Sequence, residues 1–462
     1  MLNLALTGFV FLLFALGLRR PYLWVLAYLY VDILSPQKVS WGFLSKLPIS
    51  LMAFVLAFAG WIMLDAKRDS RFTLRQGLML ALLVYCGIST MFADFLVEAM
   101  EKWGWVWKAL VFAIFLPLTL RTRLRIESAA LIMILTAGAV IIGGAIKTVA
   151  GGGGYGSLRL FVDDNTGLYE GSTLSTVAVA LIPLIWWTVK HGTIFPSDWR
   201  VKVFAAALTF SCLLIPIGTQ TRTGLLCIAL LGVLALRHAK RRFLYVGLMG
   251  VAALVTIPFL PASYTKRMST IENHQSDQSA STRVAVWKWT LDYVDDHPLG
   301  GGFDAFRSNR IAVETRKVEG DATNGSVAVT ETTDQARAYH SSYFEMLGEQ
   351  GWPGLALWLL LQGLGLVQME LLRRRWRKRT APGETWQAPL ANALQQAQLV
   401  YLTGSLFVGI AYQPFVMMLI GLQCGVWSYL QRIEGLRPGT SPKRAPFSLR
   451  TGLPDKEIGT PA

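Results

Sequence analysis

Four residues of this chain pair a useful chemistry with an unusual setting: Arg159, Arg222, Arg283 and His340. Arg222 stands in "IGTQTRTGLL", where only Gly218 to Thr221 separate two apolar blocks. So short a connection cannot lift it far from membrane depth, where an arginine costs about 2.5–3.5 kcal/mol at a helix centre and less towards the interface. One reading is an interfacial anchor that snorkels to water. The other is a phosphate ligand, because the planar guanidinium donates two parallel hydrogen bonds to such a group. Arg283 precedes Trp287 by one helical turn and so flanks the apolar face of a loop helix; it also reads as a solvated charge on that helix. Arg159 lies with Asp163, Asp164 and Asn165 in "LRLFVDDNTG", at the mouth of two apolar blocks.

His340 stands in "AYHSSYFEMLGEQGWPG", directly before a helix that Ser342 and Glu345 would open as a capping box. The positive end of that helix disfavours imidazolium and leaves a neutral ring able to accept a proton. The same end attracts phosphate. A lone histidine is ordinarily a hydrogen-bonded structural residue, but three arginines on the same face raise the case for a role. A site holding Arg159, Arg222, Arg283 and His340 would suit a diphosphate and a hydroxyl to be deprotonated. The segment "SPQKVSWGFLSK" contains no acid, and only Asp163 and Asp164 could offer carboxylates to an ion. The expectation is a transferase with no metal and no other cofactor.

The elements that must position these residues are membrane helices. Of 462 residues, 53% are hydrophobic and 16% charged, against about 25% charged in a soluble protein. Apolar blocks fall near residues 3–18, 22–35, 47–64, 77–94, 105–120, 128–148, 173–190, 203–217, 223–236, 243–261, 352–372, 396–412 and 414–431. A full span needs roughly 20 residues, so the shorter first and last pairs leave twelve or thirteen spans open. The fold class expected is an all-α polytopic membrane protein of about 12 transmembrane helices. A soluble enzyme, a disordered chain and a disulfide scaffold are excluded. Cys86, Cys212, Cys227 and Cys424 all sit within apolar blocks, as packing residues and not as a metal site. Met1–Leu18 has no basic residue before it and no small-residue cleavage site, which reads as a retained segment.

The net charge of +15 follows the loops. Arg19 and Arg20, 65–75, 121–125, 190–202, 237–242, 373–379 and the tail from 432 hold 28 of the 44 Lys and Arg when placed on one face. That face is then cytoplasmic, and the basic excess is a topology signal with no nucleic-acid partner implied. The other face carries 149–172 and the long polar stretch 262–341. Gly151–Gly154 is no P-loop, since no Gly-Lys-Ser/Thr follows. In "STRVAVWKWTLDYVDD", Val284, Trp287, Leu291 and Val294 recur at helical spacing and predict an amphipathic helix, which "HPLGGGF" would end. Residues 313–335 read as mobile. The divisions expected are an N-terminal bundle at 1–261, the large loop at 262–341, C-terminal helices at 342–431 and a basic tail at 432–462.

"TQTRTG", "STRVAVWKWTLDYVDDHPLGGGF" and "AYHSSYFEMLGEQGWPGLALW" together resemble the blocks of the O-antigen ligase and polymerase superfamily. The pattern is an Arg after a short turn, then R-x-x-x-W with a glycine-rich ending, then H-x-x-Y-x-E-x-L-x-E-x-G. The opening "LRRPYLWVLAYLYVDILSPQKVSWGF" resembles the N-terminal domain of the ligase branch that includes exosortase-associated O-glycosylation ligases. The resemblance implies a GT-C-like fold in a bacterial inner membrane and a periplasmic site. It implies metal-free transfer of a glycan from undecaprenyl pyrophosphate to lipid A–core, with His340 as the essential histidine, Arg222 and Arg283 as the key arginines and Arg159 as a less constant one. Where the family often has His-Asn, this chain has His340-Ser341. An O-antigen polymerase and a protein O-oligosaccharyltransferase share these motifs. Hydropathy alone would also admit a transporter for the lipid-linked glycan, although the charges gather at one mouth and not at mid-membrane.

Overall fold

The computed structural model describes residues 2–40, 43–65, 67, 72–151, 168–237, 241–244, 247, 278–319 and 326–435. Arg159, Asp163, Asp164, Asn165 and most of the 243–261 block lie outside the described residues.

Helices follow the apolar blocks, because a helix satisfies every backbone amide within its own segment where water is absent. The chain runs through α1 (Leu2–Arg19), α2 (Tyr22–Leu34), the short α3 (Pro36–Val39), α4 (Ile49–Leu64) and α5 (Leu74–Met91). It continues through α6 (Leu96–Thr119), α7 (Arg123–Gly151), α8 (Gly171–His191), α9 (Trp199–Gly218) and α10 (Arg222–Leu236). After α11 (Gln278–Asp296) and a hairpin of β1 (Arg310–Glu319) and β2 (Ser326–Gln335) come α12 (Ser342–Trp376), α13 (Gln387–Gly404) and α14 (Pro414–Gly435). Among the described residues 5 helices, α5, α7, α8, α9 and α12, are long and apolar enough to cross a membrane. The apolar helices α1, α2, α4 and α10 are shorter.

Two expectations give way here. The stretch read as mobile holds an antiparallel hairpin, with Arg310 opposite Gln335 and Glu319 opposite Ser326, so the fold is mostly and not wholly helical. Its β-branched runs "IAVETRKV" and "VAVTETT" favour strands over the loop inferred from polarity. The 396–412 block is helical only to Gly404. The irregular segment beyond it supplies backbone partners to α12: Ser342 N donates to the Ser405 carbonyl at 2.8 Å.

One end of the bundle collects the basic loops. The Arg125 guanidinium forks onto both oxygens of Asp65 at 2.5 and 2.9 Å. Arg123 Nη2 donates to the His191 carbonyl at 2.6 Å, and Arg432 Nη2 to the Arg121 carbonyl at 2.7 Å. Arg379 pairs with Glu434 at 3.0 Å. Five of the seven groups of basic residues, 65–75, 121–125, 190–202, 373–379 and the residues from 432, therefore meet in space.

Arg75 departs from that group. It is fully buried, and its Nη2 donates to Gln423 Oε1 at 3.0 Å. Gln423 Nε2 donates to Gln398 Oε1 at 3.0 Å, and Gln398 Nε2 to Gln362 Oε1 at 2.7 Å. A Cβ at Gly365 would come within 2.5 Å of the Arg75 guanidinium, so the glycine makes its room. Among the described residues no salt bridge forms at Arg75. This amide chain ties α5 to α12, α13 and α14.

Two apolar cores lie along the bundle. One gathers α2, α4, α7 and α8 around Tyr28, Phe112 and Leu174. The other gathers α5, α6, α12 and α14 around Trp358, Leu361 and Tyr412, with Phe303 inserted from the loop after α11. A small third core of Val286, Ile311 and Tyr339 joins α11, β1 and the turn before α12. Here the expected stripe holds in part. Val294 is buried and Trp287 packs on this core as expected, but Val284 and Leu291 are 53% and 44% exposed and Val286 and Thr290 are buried in their place. Thr290 fits inside because its hydroxyl donates to the Val286 carbonyl at 2.8 Å, a satisfaction that a hydropathy pattern does not register.

Candidate functional site

Three helix N-termini meet at the end opposite the basic loops. α9 stops at Gly218 and Arg222 begins α10. The turn between them is held by hydroxyls: Ser175 Oγ lies 3.0 Å from Thr219 Oγ1 and 2.8 Å from Thr221 Oγ1. Gly171, the first residue of α8, packs on the same turn, where a Cβ would meet Thr219 Cβ at 3.1 Å. Glu170 caps α8, its carboxylate accepting from Ser172 N and Thr173 N at 2.9 and 2.5 Å. One turn on, Thr176 Oγ1 would sit 2.3 Å from a Cβ at Gly404, and the adjacent Ser405 carbonyl accepts from Ser342 N, the start of α12. α8 thus packs on the turn before Arg222 and on the segment that holds the start of α12.

His340 occupies the turn before α12 with φ +47°, a left-handed conformation that residues with a Cβ rarely adopt. The surroundings over-determine it. Trp287 of α11 donates Nε1 to the Tyr339 carbonyl at 2.9 Å and stacks on Phe344, ring centroids 5.0 Å apart. Ser342 Oγ donates to the Val408 carbonyl and accepts from Ile410 N, both at 2.9 Å. Ser35, Gln220, Asp304 and Ala336 also have a positive φ, so it is the surroundings of His340, more than its φ, that single it out. The capping box expected of Ser342 and Glu345 does not form. Ser341 is the N-cap and offers no side-chain bond, because Ser342 and Glu345 are engaged by the irregular segment after α13.

Arg283 lies on α11, one turn before Trp287. It is the first charge felt by His340, and Glu170 is the next. His340 itself remains open to the outside, but the protein around it leaves the ring poorly hydrated. That desolvation, and after it the Arg283 and Arg337 charges, push its pKa below the ordinary histidine value, while Glu170 pulls it back. The structure therefore brings His340, Arg283 and Glu170 within electrostatic reach of one another, while Arg222 begins α10, which packs on α8. Arg159 lies outside the described residues.

A charged cluster next to this site was not anticipated. Lys102 Nζ of α6 lies 2.7 Å from Glu349 Oε1, 2.9 Å from Glu345 Oε1 and 3.7 Å from Asp304 Oδ1. Glu349 is fully buried and also accepts from Asp304 N at 3.1 Å, and Glu345 accepts from Ala411 N at 3.1 Å. Burial raises the Asp304 carboxyl above its usual range against the pull of Lys102 and Arg307. The signal was present: Glu345 and Glu349 stand four apart in an apolar helix, hence on one face. Among the described residues no group of three or more His, Cys, Asp or Glu is arranged to hold a metal ion; these three acids surround an ammonium.

The glycine-rich stretch does more than end α11. Gly301 N donates to the Gly348 carbonyl at 3.1 Å, Gly302 N to the Glu349 carbonyl at 2.9 Å, and Trp352 N to the Pro298 carbonyl at 3.1 Å. It clasps α12 at a kink where Gly351 has φ +62°, and a Cβ there would lie 2.3 Å from the Pro298 carbonyl.

A poorly protonated imidazole on a strained turn, beside one guanidinium and near the positive ends of three helices, can take a proton from a hydroxyl while a polyanion is held nearby. Residues 1–193 match a family of unknown function (DUF5935). No curated protein matches the chain. Residues 204–359, which contain Arg222, Arg283, His340 and the clasp, match the family model described as O-antigen ligase, and this supports an enzyme of the O-antigen ligase/polymerase superfamily, of ligase or polymerase type, acting in O-antigen or glycan assembly.

Proposed function

We propose that the protein is an O-antigen ligase that moves a glycan from undecaprenyl pyrophosphate to a sugar hydroxyl of lipid A–core, without a metal. The observation that carries this reading is His340 on its strained turn with Arg283 as its nearest charge, inside the matched segment. Arg222 and Arg283, with Arg159, hold the donor pyrophosphate; the α10 N-terminus adds to the attraction of Arg222. His340 takes the proton of the acceptor hydroxyl as its oxygen attacks the anomeric carbon. The bond from that carbon to the phosphate oxygen breaks, and undecaprenyl pyrophosphate leaves with the electron pair. A single displacement inverts the anomeric centre. The basic end is cytoplasmic by the charge rule, so the site faces the periplasm of a bacterial inner membrane, the C-terminus lies in the cytoplasm, and the bundle has about 12 spans in a GT-C-like arrangement. The resemblance of residues 18–43 favours the ligase branch.

Purified protein mixed with a defined lipid-linked donor and each acceptor separately tests the reading. Glycosylated lipid A–core, formed equally in excess chelator, is the expected product. Lengthening of the donor's own glycan would make the protein a polymerase, and glycopeptide a protein O-oligosaccharyltransferase. Donor retained without any product would favour a transporter. His340→Ala is expected to bind donor but not transfer, and an active His340→Asn would mean that the histidine is structural and the base lies elsewhere.

A further inference from the structure

A cavity of about 550 Å³ opens at the basic end, far from His340, between α8, α9, α10 and α13. Its walls are apolar, built by Trp186, Leu213, Ile228 and Leu231, and Lys190 and His191 stand at its mouth. Lys190 is exposed, and among the described residues it makes no ion pair. No carboxylate lines the cavity among the described residues. Asn392 and Gln396 add amides to one wall. An apolar slot in the membrane half next to the basic loops, with the Lys190 ammonium at its mouth and amides on one wall, has the polarity of a phospholipid seen from below: chain inside, phosphate at the mouth, ester carbonyls against the amides. Basic pockets between transmembrane helices on the cytoplasmic side take anionic headgroups for this reason.

We infer that this cavity binds an anionic glycerophospholipid, one acyl chain lying between α8, α9 and α10 and the phosphate facing Lys190. The inference uses the proposed orientation only to name the leaflet, and its test involves neither donor nor acceptor, so it stands or falls apart from glycosyl transfer. Protein reconstituted in vesicles of equal phosphatidylglycerol and phosphatidylcholine is extracted in mild detergent, and retained lipid is counted by native mass spectrometry. Wild-type protein is expected to retain phosphatidylglycerol about fivefold over phosphatidylcholine, the equivalent of about 1 kcal/mol for one basic residue at a membrane surface. Lys190→Gln and Lys190→Glu should abolish that preference with the protein still monodisperse, since the side chain is exposed. Leu213→Trp, which fills the slot, should lower retention of both lipids by the same factor. Equal retention of the two lipids by wild type, an unchanged preference in Lys190→Gln, or full retention in Leu213→Trp would each overturn the inference.

Discussion

Replacing Lys102 by Met keeps the length of the side chain and removes the cation that Glu345, Glu349 and Asp304 share; of the three, Asp304 still pairs with Arg307. The Lys102–Glu349 contact at 2.7 Å is worth about 6 kcal/mol of attraction at an effective dielectric of about 20. Part of this only offsets the dehydration of two ions, and removal of one partner from such a buried pair costs a net of about 3–5 kcal/mol. Glu349 has no access to water, so in the variant its carboxylate either takes up a proton or opens α12 from α6 to regain hydration. The opening would travel to the turn at His340, because Glu345 and Ser342 hold the segment after α13. Reversible unfolding in mixed micelles with increasing dodecyl sulfate reads the loss directly. The double variant Lys102→Met, Glu349→Gln is expected to regain about 2 kcal/mol of it, since the amide keeps the bond from Asp304 N without a charge. The reasoning fails if Lys102→Met unfolds at the wild-type detergent fraction, or if Glu349→Gln has the same effect in both backgrounds.

Arg222→Ala is expected to lower kcat by about 10²–10³, on the scale of about 2.7–4 kcal/mol for one donor aimed at developing charge; Arg222→Lys should recover only part, lacking the fork, and wild-type turnover by the alanine variant would remove Arg222 from the mechanism. The acidic limb of the kcat/KM profile should lie below the ordinary histidine value of about 6.5, because the folded protein lowers the His340 pKa and the neutral ring is the active form. Glu170→Gln removes a charge that raises that pKa, so the limb should move to still lower pH; a shift the other way would sink this account. Gly351→Ala forces a Cβ into the clasp at a φ/ψ open essentially to glycine alone, a penalty of about 1–3 kcal/mol from the backbone, and should lower the unfolding midpoint and kcat together.

The helices were legible because their signal is one-dimensional: a long apolar run has few alternatives in a lipid interior. The short turn before Arg222, the helix after His340 and the breaker after Asp296 were legible for the same local reason. What escaped depends on partners distant in the chain. Ser342 and Glu345 fit a capping box locally, but residues 405–411 claim them in space. Arg75 reads as a loop cation until Gln423 is brought against it. Lys102 lies 247 residues before Glu349, and nothing near it in the chain announces a cluster. On α11 Trp287 and Val294 face inward as read, but Leu291 gives way to Thr290, which can bury its hydroxyl on its own helix.

The enclosure of Arg75 sets an order for biogenesis. α5 leaves the ribosome long before Gln423, which comes 348 residues later. At about 5–20 residues per second that interval is roughly 20–70 s. Throughout it the nascent helix presents an arginine near its end with none of the amides that later receive it, and the guanidinium must reach for the interface. Only when α12, α13 and α14 arrive can α5 settle to its final depth. The last helices, which lie mostly beyond the segment matching O-antigen ligase, thereby act as the release signal for one of the first. A chain stopped before α13 would keep Arg75 searching for water, an exposed defect by which membrane proteases could recognise unfinished copies.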